Sequence, residues 1–365
     1  MIHNTLHKLS TFTHFCKNKM ISRKHTSLIF VLLPILIVLL FLLNIWYGSI
    51  NISWFDVWDT LLLNETVNNT SEIIILQYRL PQAITALSVG IGLSIAGLLL
   101  QTTFTNPLAG PSVLGISAGA SLGVALVVLL GGIGGIKFVG TSVLFGDMAI
   151  VLASFTGALV VLTIIVFVSR KVGNAVTVLI IGIMIGYLVS SVVGTLQFFS
   201  SSEDLHAFIL WGLGSFSKTT IAQSISIFSV TIAISLVTIL FIKPLNAFLL
   251  GNQYALSSGF NIKLMQSVFI LISGFLIALG TAFTGPIAFI GLAVPHIART
   301  IFRTSNHTVL LPAVMLIGAA LTLGCNLVSK LPGYDASLPI NAVTSMVGAP
   351  IVIWVIIKGR SMSNA

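Results

Sequence analysis

The chain has 365 residues, of which 56% are hydrophobic and only 7% are charged. Soluble domains carry roughly a quarter charged residues, so this chain lacks the charges to cover a water-facing surface and is predicted to lie in a lipid bilayer. Its net charge of +9 does not indicate nucleic-acid binding, because the basic residues lie in short segments between apolar runs, where membrane topology places them.

Ten apolar segments are long enough to cross the hydrocarbon core of a bilayer, which takes roughly 20 residues in a helix. In chain order they are 28–48, 80–101, 112–131, 148–169, 175–198, 220–242, 264–282, 285–302, 308–329 and 339–357. The eighth fits least well, because Pro286 and Pro295 interrupt it. The predicted fold class is an all-α polytopic membrane protein with about ten transmembrane helices. A cytoplasmic tail (1–27) precedes the membrane domain (28–365).

The distribution of charge predicts which side each connecting segment faces. With the amino terminus in the cytoplasm, the cytoplasmic segments contain all but four of the 17 basic residues. The exceptions fall outside together with all eight acidic residues, and they are Arg79, Lys137, Lys218 and Lys330. Since Lys and Arg are enriched in cytoplasmic loops, both termini are predicted to be cytoplasmic.

The predicted spans contain no charged residue near their middle, although proton- and ion-coupled carriers need a titratable or coordinating group at that depth. His296 is the nearest titratable residue, and its position one turn before Arg299 favours an interface histidine over a proton relay. The chain has no phosphate-binding loop for ATP, no nucleophile paired with a base and no metal-ligand cluster. These patterns favour a permease that needs no cofactor or metal and is energised by a partner protein. A secondary carrier of small neutral solutes stays open as an alternative.

Two stretches rich in Gly and Pro interrupt the helical pattern. TNPLAGPSVLGISAGASLG (105–123) follows the second span, and TGPIAFIGLAVPHIAR (284–299) follows the seventh. Because five spans separate them, two copies would have opposite orientations in the membrane. Paired interruptions of this kind are typical of transporters with an inverted repeat.

Three long motifs give the chain a family resemblance. RLPQAITALSVGIGLSIAGLLLQ (79–101) leads into NPLAGPSVLGISAGA (106–120), and GPIAFIGLAVPHIAR (285–299) and LPINAVTSMVGAPIVIWVI (338–356) follow. In this order and spacing they resemble the permeases of the type II ABC importers for iron siderophores, haem and cobalamin. The resemblance extends from about residue 28 to the end of the chain.

The resemblance implies a type II ABC importer permease with an inverted internal repeat, in the cytoplasmic (inner) membrane of a bacterium. The implied partners are a second copy or a homologous permease, two ATPase subunits that hydrolyse the ATP, an extracytoplasmic substrate-binding (lipo)protein and membrane lipid. A ferric siderophore is the leading cargo, and haem and cobalamin are the alternatives.

The resemblance also assigns a coupling loop to residues 244–263, in which two short helices enter a cleft on the ATPase. Gly251 and Gly259 allow sharp changes of chain direction there, and Leu249, Leu250, Tyr254 and Ala255 offer an apolar surface. Family members usually have an acidic residue where this chain has Asn252, which puts an ion pair with the ATPase in doubt but not the docking. An interfacial helix lying on lipid is the alternative interpretation.

Docking of the binding protein is assigned by resemblance to Arg79 and Lys330, with Lys218 as a third candidate; the alternative is that these bases are membrane anchors. The fifth and tenth spans are expected to line the translocation path, and a segment near 204–214 to act as an outer gate. The candidate path residues in the fifth span are Met184, Tyr187, Ser191, Thr195 and Gln197. Hydroxyl and amide side chains on one helix can equally hold helices together.

Overall fold

The computed structural model describes residues 26–60, 69–133, 143–172, 174–330 and 337–363, and within these ranges all regular structure is helical. The α-helices are α1 (Thr26–Trp46), α2 (Trp54–Trp58), α3 (Asn69–Ile73), α4 (Leu80–Thr103), α5 (Ile116–Ile133), α6 (Val143–Val172), α7 (Ala175–Phe199), α8 (Ser202–Gly212), α9 (Ile221–Ile239), α10 (Ile242–Leu249), α11 (Asn252–Ser257), α12 (Ile262–Thr284), α13 (Ile290–Phe302), α14 (His307–Ser329) and α15 (Ile340–Ser363). Most of the predicted tail (1–27), Lys137 and Asp335 lie outside the described residues.

Each of the ten predicted spans corresponds to a helix. Within the described ranges, seven helical segments are long and apolar enough to cross a membrane, and they correspond to α1, α4 (with α3 and the π-helical segment before it), α6 from Asp147 onward, α7, α9, α12 and α14. Shorter apolar helices in α5, α13 and α15 supply the remaining three spans. The prediction of an all-α membrane protein with about ten transmembrane helices is confirmed.

The beginning of the second span was predicted too late. Helical structure begins in α3 and continues through a π-helical segment (Ile74–Arg79) directly into α4. Arg79 therefore lies inside a long helical segment and not at its end. The predicted span begins at residue 80 because only the part after Arg79 is continuously apolar. The helical hydrogen bonding extends further toward the amino terminus, through residues that are not all apolar.

The eighth span is shorter than predicted, because the chain remains non-helical from Gly285 to Phe289 and α13 begins only at Ile290. Gly285 has a φ of +73° and Phe289 a φ of +66°, values that break a right-handed helix. The third span shows a similar interruption: a single 3-10 turn (Pro111–Leu114) precedes α5. These are the two Gly/Pro-rich stretches noted in the sequence.

Helix α4 is the centre of the fold. Most of its side chains are buried, and it packs against α9, α12, α13 and α14. Its glycines bring backbones close together: a Cβ on Gly97 would lie 1.6 Å from the carbonyl oxygen of Gly291 in α13. A Cβ on Gly291 would in turn contact Pro111, so the two interrupted stretches meet at this point.

The helices α1, α6, α7 and α9 lie at the periphery, where much of their apolar surface is exposed on the single chain. In a membrane protein such surface faces lipid or another subunit. The bundle has two ends that carry different connections, with α8 at one end and α10 and α11 at the other; we call these the α8 end and the α10 end.

Candidate functional site

The α10 end presents two short helices, as the resemblance implied for residues 244–263. Helix α10 is anchored by buried apolar residues, among them Phe248, whose ring lies 5.5 Å from that of Phe269 in α12. Gly251, between α10 and α11, has a φ of +98°, and Gly259, after α11, has a φ of +84°. Both values favour glycine, so the two glycines fix how these helices are presented.

The exposed surface of α10 and α11 is mostly apolar. Leu249, Leu250, Tyr254 and Leu256 are each at least 40% exposed, and Asn252 is exposed beside them. We call this set the α10–α11 surface. The prediction that Ala255 belongs to it is wrong: Ala255 is fully buried, because one turn of α11 carries it to the face that packs on the protein.

Beneath this surface, several polar side chains join the helices that meet at the α10 end. Arg299 in α13 donates a hydrogen bond to the side-chain oxygen of Gln101 in α4 at 2.6 Å, and Gln101 donates to the carbonyl of Leu292 at 3.2 Å. His296 in α13 lies 2.8 Å from the carbonyl oxygen of Pro107, which belongs to the interrupted stretch after α4. His307 and Asn246 also belong to this network, and the sequence analysis missed them because neither stands in a recognisable motif.

Arg79, at the α8 end, is not the exposed base that docking requires. It is 5% exposed, and its guanidinium donates hydrogen bonds to the backbone carbonyls of Ile45, Trp46 and Ile50. Gly48 leaves room for it, since a Cβ there would lie 2.7 Å from the guanidinium. Arg79 thus satisfies carbonyls at the end of α1, which a helix terminus leaves without partners.

Lys330 is buried in the same region, where its ammonium nitrogen donates to the carbonyl oxygen of Asn44 at 2.7 Å. Burial, with a smaller contribution from the charge on Arg79, lowers the pKa of Lys330 to about 7. The amide of Asn44 accepts from Asn326, and Asn326 accepts from Gln82. The expectation that Arg79 and Lys330 are accessible to a docking protein is therefore wrong. Both side chains are buried, because they donate hydrogen bonds to backbone carbonyls at and just beyond the end of α1.

We expect Arg79→Met to lower the thermal stability of the detergent-solubilised protein. The substitution leaves the buried carbonyl of Ile45 and the part-buried carbonyls of Trp46 and Ile50 without this donor, and a buried polar group without its partner costs about 1–3 kcal/mol. Lys218→Met is the matched control, since it removes the same charge from an exposed position. The midpoint of thermal unfolding distinguishes them, and equal midpoints for the two variants would contradict a structural role for Arg79.

Lys218 remains accessible and lies between two cavities at the α8 end. The first, of about 210 Å³, is lined also by polar side chains of Gln82, Asn326 and Ser329. The second, of about 230 Å³, is lined also by Asp147 and Gln223. Of the three predicted docking bases, Lys218 alone has the exposure that contact with a protein in solution needs.

The segment predicted to act as a gate is helix α8, and backbone hydrogen bonds hold its end in place. Ser215 donates to the carbonyl of Thr284 at 2.8 Å, and Asn341 donates to that of Leu213 at 3.2 Å. The side chain of Asn341 also accepts from the backbone N–H of Ala288 at 3.1 Å. The end of α8 is thereby tied both to the interruption before α13 and to the start of α15.

Most of the predicted path residues lie on exposed parts of α7. Met184 and Tyr187 are 53% and 67% exposed, Ser191 and Thr195 are exposed and Gln197 is half-buried. The hydroxyls of Ser191 and Thr195 hydrogen-bond to carbonyls one turn earlier in α7. Among the described residues these two hydroxyls have no hydrogen bond to another helix, and the surface they form is weakly polar and uncharged.

Comparison with known proteins gives a consistent result. The family model described as the FecCD transport family matches residues 36–358. A protein of Methanocaldococcus jannaschii described as an ABC transporter permease is 32% identical over 318 residues, covering 84% of this chain and 89% of that protein.

Two further relatives have named cargoes. The vitamin B12 import system permease BtuC of Klebsiella pneumoniae is 33% identical and covers 81% of this chain and 86% of its own length. The hemin transport system permease HmuU of Yersinia pestis is 32% identical and covers 91% and 96%. A solved metal-chelate type ABC transporter in an inward-facing conformation superposes with a TM-score of 0.77 at 26% identity, over 91% of this chain and 99% of that one.

Proposed function

The chain belongs to the FecCD transport family, and from this we propose that it carries a ferric siderophore across the cytoplasmic membrane of a bacterium. It is an ABC importer permease with the type II importer fold. A secondary carrier of neutral solutes is no longer an alternative for a chain of this family.

The observation that best supports a bulky chelate as cargo is the character of α7. Its exposed Tyr187, Ser191 and Thr195 carry no charge, so they can wet a passage without binding an ion or a small polar solute tightly. Selection of the chelate is then the task of a substrate-binding protein outside the membrane. Haem and cobalamin, the cargoes named for HmuU and BtuC, are chelates of comparable bulk and form the second candidate.

We assign ATP hydrolysis to two separate ATPase subunits and their docking to the α10–α11 surface. An exposed apolar patch rimmed by polar residues is typical of a protein–protein interface. The exposed surface of α7 supports pairing with a second permease, either a copy of this chain or a homologue, around a central path. Lys218 is the base we assign to contact with the binding protein.

Uptake measurements test the cargo. The permease, with the ATPase and binding protein that co-purify with it, is reconstituted in liposomes and offered a ferric hydroxamate, a ferric catecholate, hemin and cyanocobalamin in turn. We expect ATP-dependent uptake of one of the two ferric siderophores. Uptake of hemin or cyanocobalamin alone would replace the siderophore with the second candidate, and ATP-independent uptake would refute the importer mechanism.

The assigned orientation predicts which surfaces react with a membrane-impermeant thiol reagent. In a Cys16→Ser background, with Cys325 buried, we expect Ser217→Cys to be labelled in intact cells, because Ser217 is exposed at the α8 end. Asn252→Cys should be labelled only after permeabilisation. The opposite pattern would reverse the orientation and place the α10–α11 surface outside the cell.

A further inference from the structure

A buried imidazole joins three helices at the α10 end. The side chain of His307, the first residue of α14, is fully buried. Its Nε2 lies 2.8 Å from the hydroxyl oxygen of Thr102 in α4, and its Nδ1 lies 3.0 Å from the side-chain oxygen of Asn246 in α10. Both ring nitrogens therefore have partners, and each partner belongs to a different helix.

The hydrogen-bond directions in this cluster follow from its geometry. The backbone N–H of His307 also donates to the side-chain oxygen of Asn246, at 2.9 Å, which fixes the orientation of that amide. Because an amide oxygen only accepts hydrogen bonds, Nδ1 of His307 carries a proton. In the neutral ring Nε2 then accepts from the hydroxyl of Thr102. The amide nitrogen of Asn246 donates to Asn306, the N-cap of α14, at 3.0 Å.

These contacts connect α10 to other helices independently of the short joint between α9 and α10. Helix α9 ends at Ile239 and α10 begins at Ile242, so only two residues connect the membrane span to the first short helix. Part of a displacement of α10 can be absorbed at this joint, although the packing of Phe248 on Phe269 also connects α10 to α12. The bonds of Asn246 to His307 and Asn306 attach α10 to α14 directly, and His307 extends that attachment to α4.

The attachment continues beyond α4. Gln101, the neighbour of Thr102, contacts both Arg299 and the carbonyl of Leu292 in α13. Packed side chains and hydrogen-bond networks of this kind can carry energetic coupling between sites. The end of α4 is thus held to α10 through His307 and to α13 through Gln101.

We propose that His307 is a positioning residue for energy coupling, which makes α10 move together with the ends of α4 and α14. This inference rests on the proposed function, because the displacement of α10 comes from an ATPase bound to the α10–α11 surface. Without the link, ATP hydrolysis continues, but less of its motion reaches the helices of the translocation path.

Thr102 offers a clean way to remove the link, because its neighbour provides a matched control. The hydroxyls of Thr102 and Thr103 are both buried and both lie within hydrogen-bond distance of a carbonyl one turn earlier, at 2.9 and 2.7 Å. Thr103 has no other side-chain hydrogen bond among the described residues, whereas Thr102 also reaches His307. Thr102→Val removes the link with little change of shape, Thr102→Ser keeps it, and Thr103→Val removes only the bond within α4.

The test measures uptake per ATP hydrolysed by the reconstituted complex, using the chelate that the wild-type protein imports. Since one hydrogen bond contributes about 1 kcal/mol, which corresponds to roughly a fivefold effect, we expect Thr102→Val to lower this ratio about fivefold. Thr102→Ser and Thr103→Val should stay near wild type. Thr102→Ser should keep the wild-type thermal midpoint, whereas Thr102→Val should have a lower midpoint than Thr103→Val, because it also leaves the buried Nε2 of His307 without a partner.

A double substitution separates a shared link from two independent defects. Asn246→Leu removes the other side of the His307 contact, so the combination with Thr102→Val should lower the ratio no further than the larger single effect. If the wild-type complex is active and Thr102→Val and Thr103→Val give equal uptake per ATP hydrolysed, the inference about His307 is overturned and the proposed function is not. A wild-type complex that neither hydrolyses ATP nor imports a chelate would instead refute the proposed function, and the inference with it.

Discussion

Replacing Gly251 with proline is expected to abolish chelate uptake while the chain still inserts into the membrane. The backbone of Gly251 has a φ of +98°, whereas proline is restricted to a φ of about −65°. Proline also removes the N–H that donates to the carbonyl of Phe248 at 3.1 Å. The turn between α10 and α11 cannot form, and the α10–α11 surface loses the geometry that a rigid partner surface requires.

Gly251→Ala separates the two effects of this substitution. Alanine keeps the N–H and meets no atom within 4 Å, so its cost is the backbone strain of a φ of +98° with a ψ of 159°, a region almost restricted to glycine, at about 1–3 kcal/mol. We expect partial uptake for Gly251→Ala and none for Gly251→Pro, with substrate-stimulated ATP hydrolysis lost in the same order. The thermal midpoint of Gly251→Ala should fall only by what this strain costs, because the added methyl group meets no neighbouring atom. Full uptake by the proline variant would show that this loop does not transmit the work of the ATPase.

The membrane spans could be predicted from the sequence because they depend on composition and length. A helix that crosses a bilayer needs about 20 mostly apolar residues, and each of the ten predicted spans corresponds to a helix, although the apolar helices in α5, α13 and α15 are shorter. The ends of the spans were less predictable. α3 and the π-helical segment extend α4 toward the amino terminus and include polar residues such as Glu72. Outside the hydrocarbon core, the backbone hydrogen bonds of a helix form whether its side chains are polar or apolar.

The roles of individual charged residues could not be predicted, because they depend on contacts between distant parts of the chain. Arg79 stands in a motif beside an apolar span, and nothing local shows that its guanidinium reaches the carbonyls of Ile45 and Trp46 at the end of α1, 34 and 33 residues earlier. His307 and Asn246 are 61 residues apart, and neither stands in a motif that would link them. Such pairs become visible only when packing fixes which helix ends meet.

The glycines that loosen the helical pattern in the sequence serve mainly to bring backbones together. Gly90 and Gly318 show this for α4 and α14, where a Cβ on either residue would lie 2.5 Å from the carbonyl oxygen of the other. Small residues at such crossings are typical of membrane helices, which associate by close packing. The sequence predicts that small residues will matter, but only the structure shows which of them a methyl group would disrupt.

Gly97→Ala is therefore expected to have the largest effect of any single methyl group added to α4. The new Cβ would lie 1.6 Å from the carbonyl oxygen of Gly291 and 2.4 Å from its carbonyl carbon. Both atoms are backbone, so no side-chain rotation relieves the clash and α13 must move away from α4. Overpacking costs typically 1–3 kcal/mol and occasionally more, and for this contact we expect about 3 kcal/mol or more.

Gly92→Ala is the matched control, because it adds the same methyl group to a buried position of the same helix. The nearest atoms to that Cβ are side-chain carbons of Leu276 and Thr231, at 3.6 and 3.7 Å, which are ordinary contacts. We expect Gly92→Ala to match wild type in the yield of monodisperse protein and in thermal midpoint, and Gly97→Ala to lose most of both. Similar behaviour of the two variants would mean that α4 and α13 separate easily. Because Gln101 and Leu292 span the same contact, loss of this packing would also disconnect α13 from the end of α4 that His307 holds.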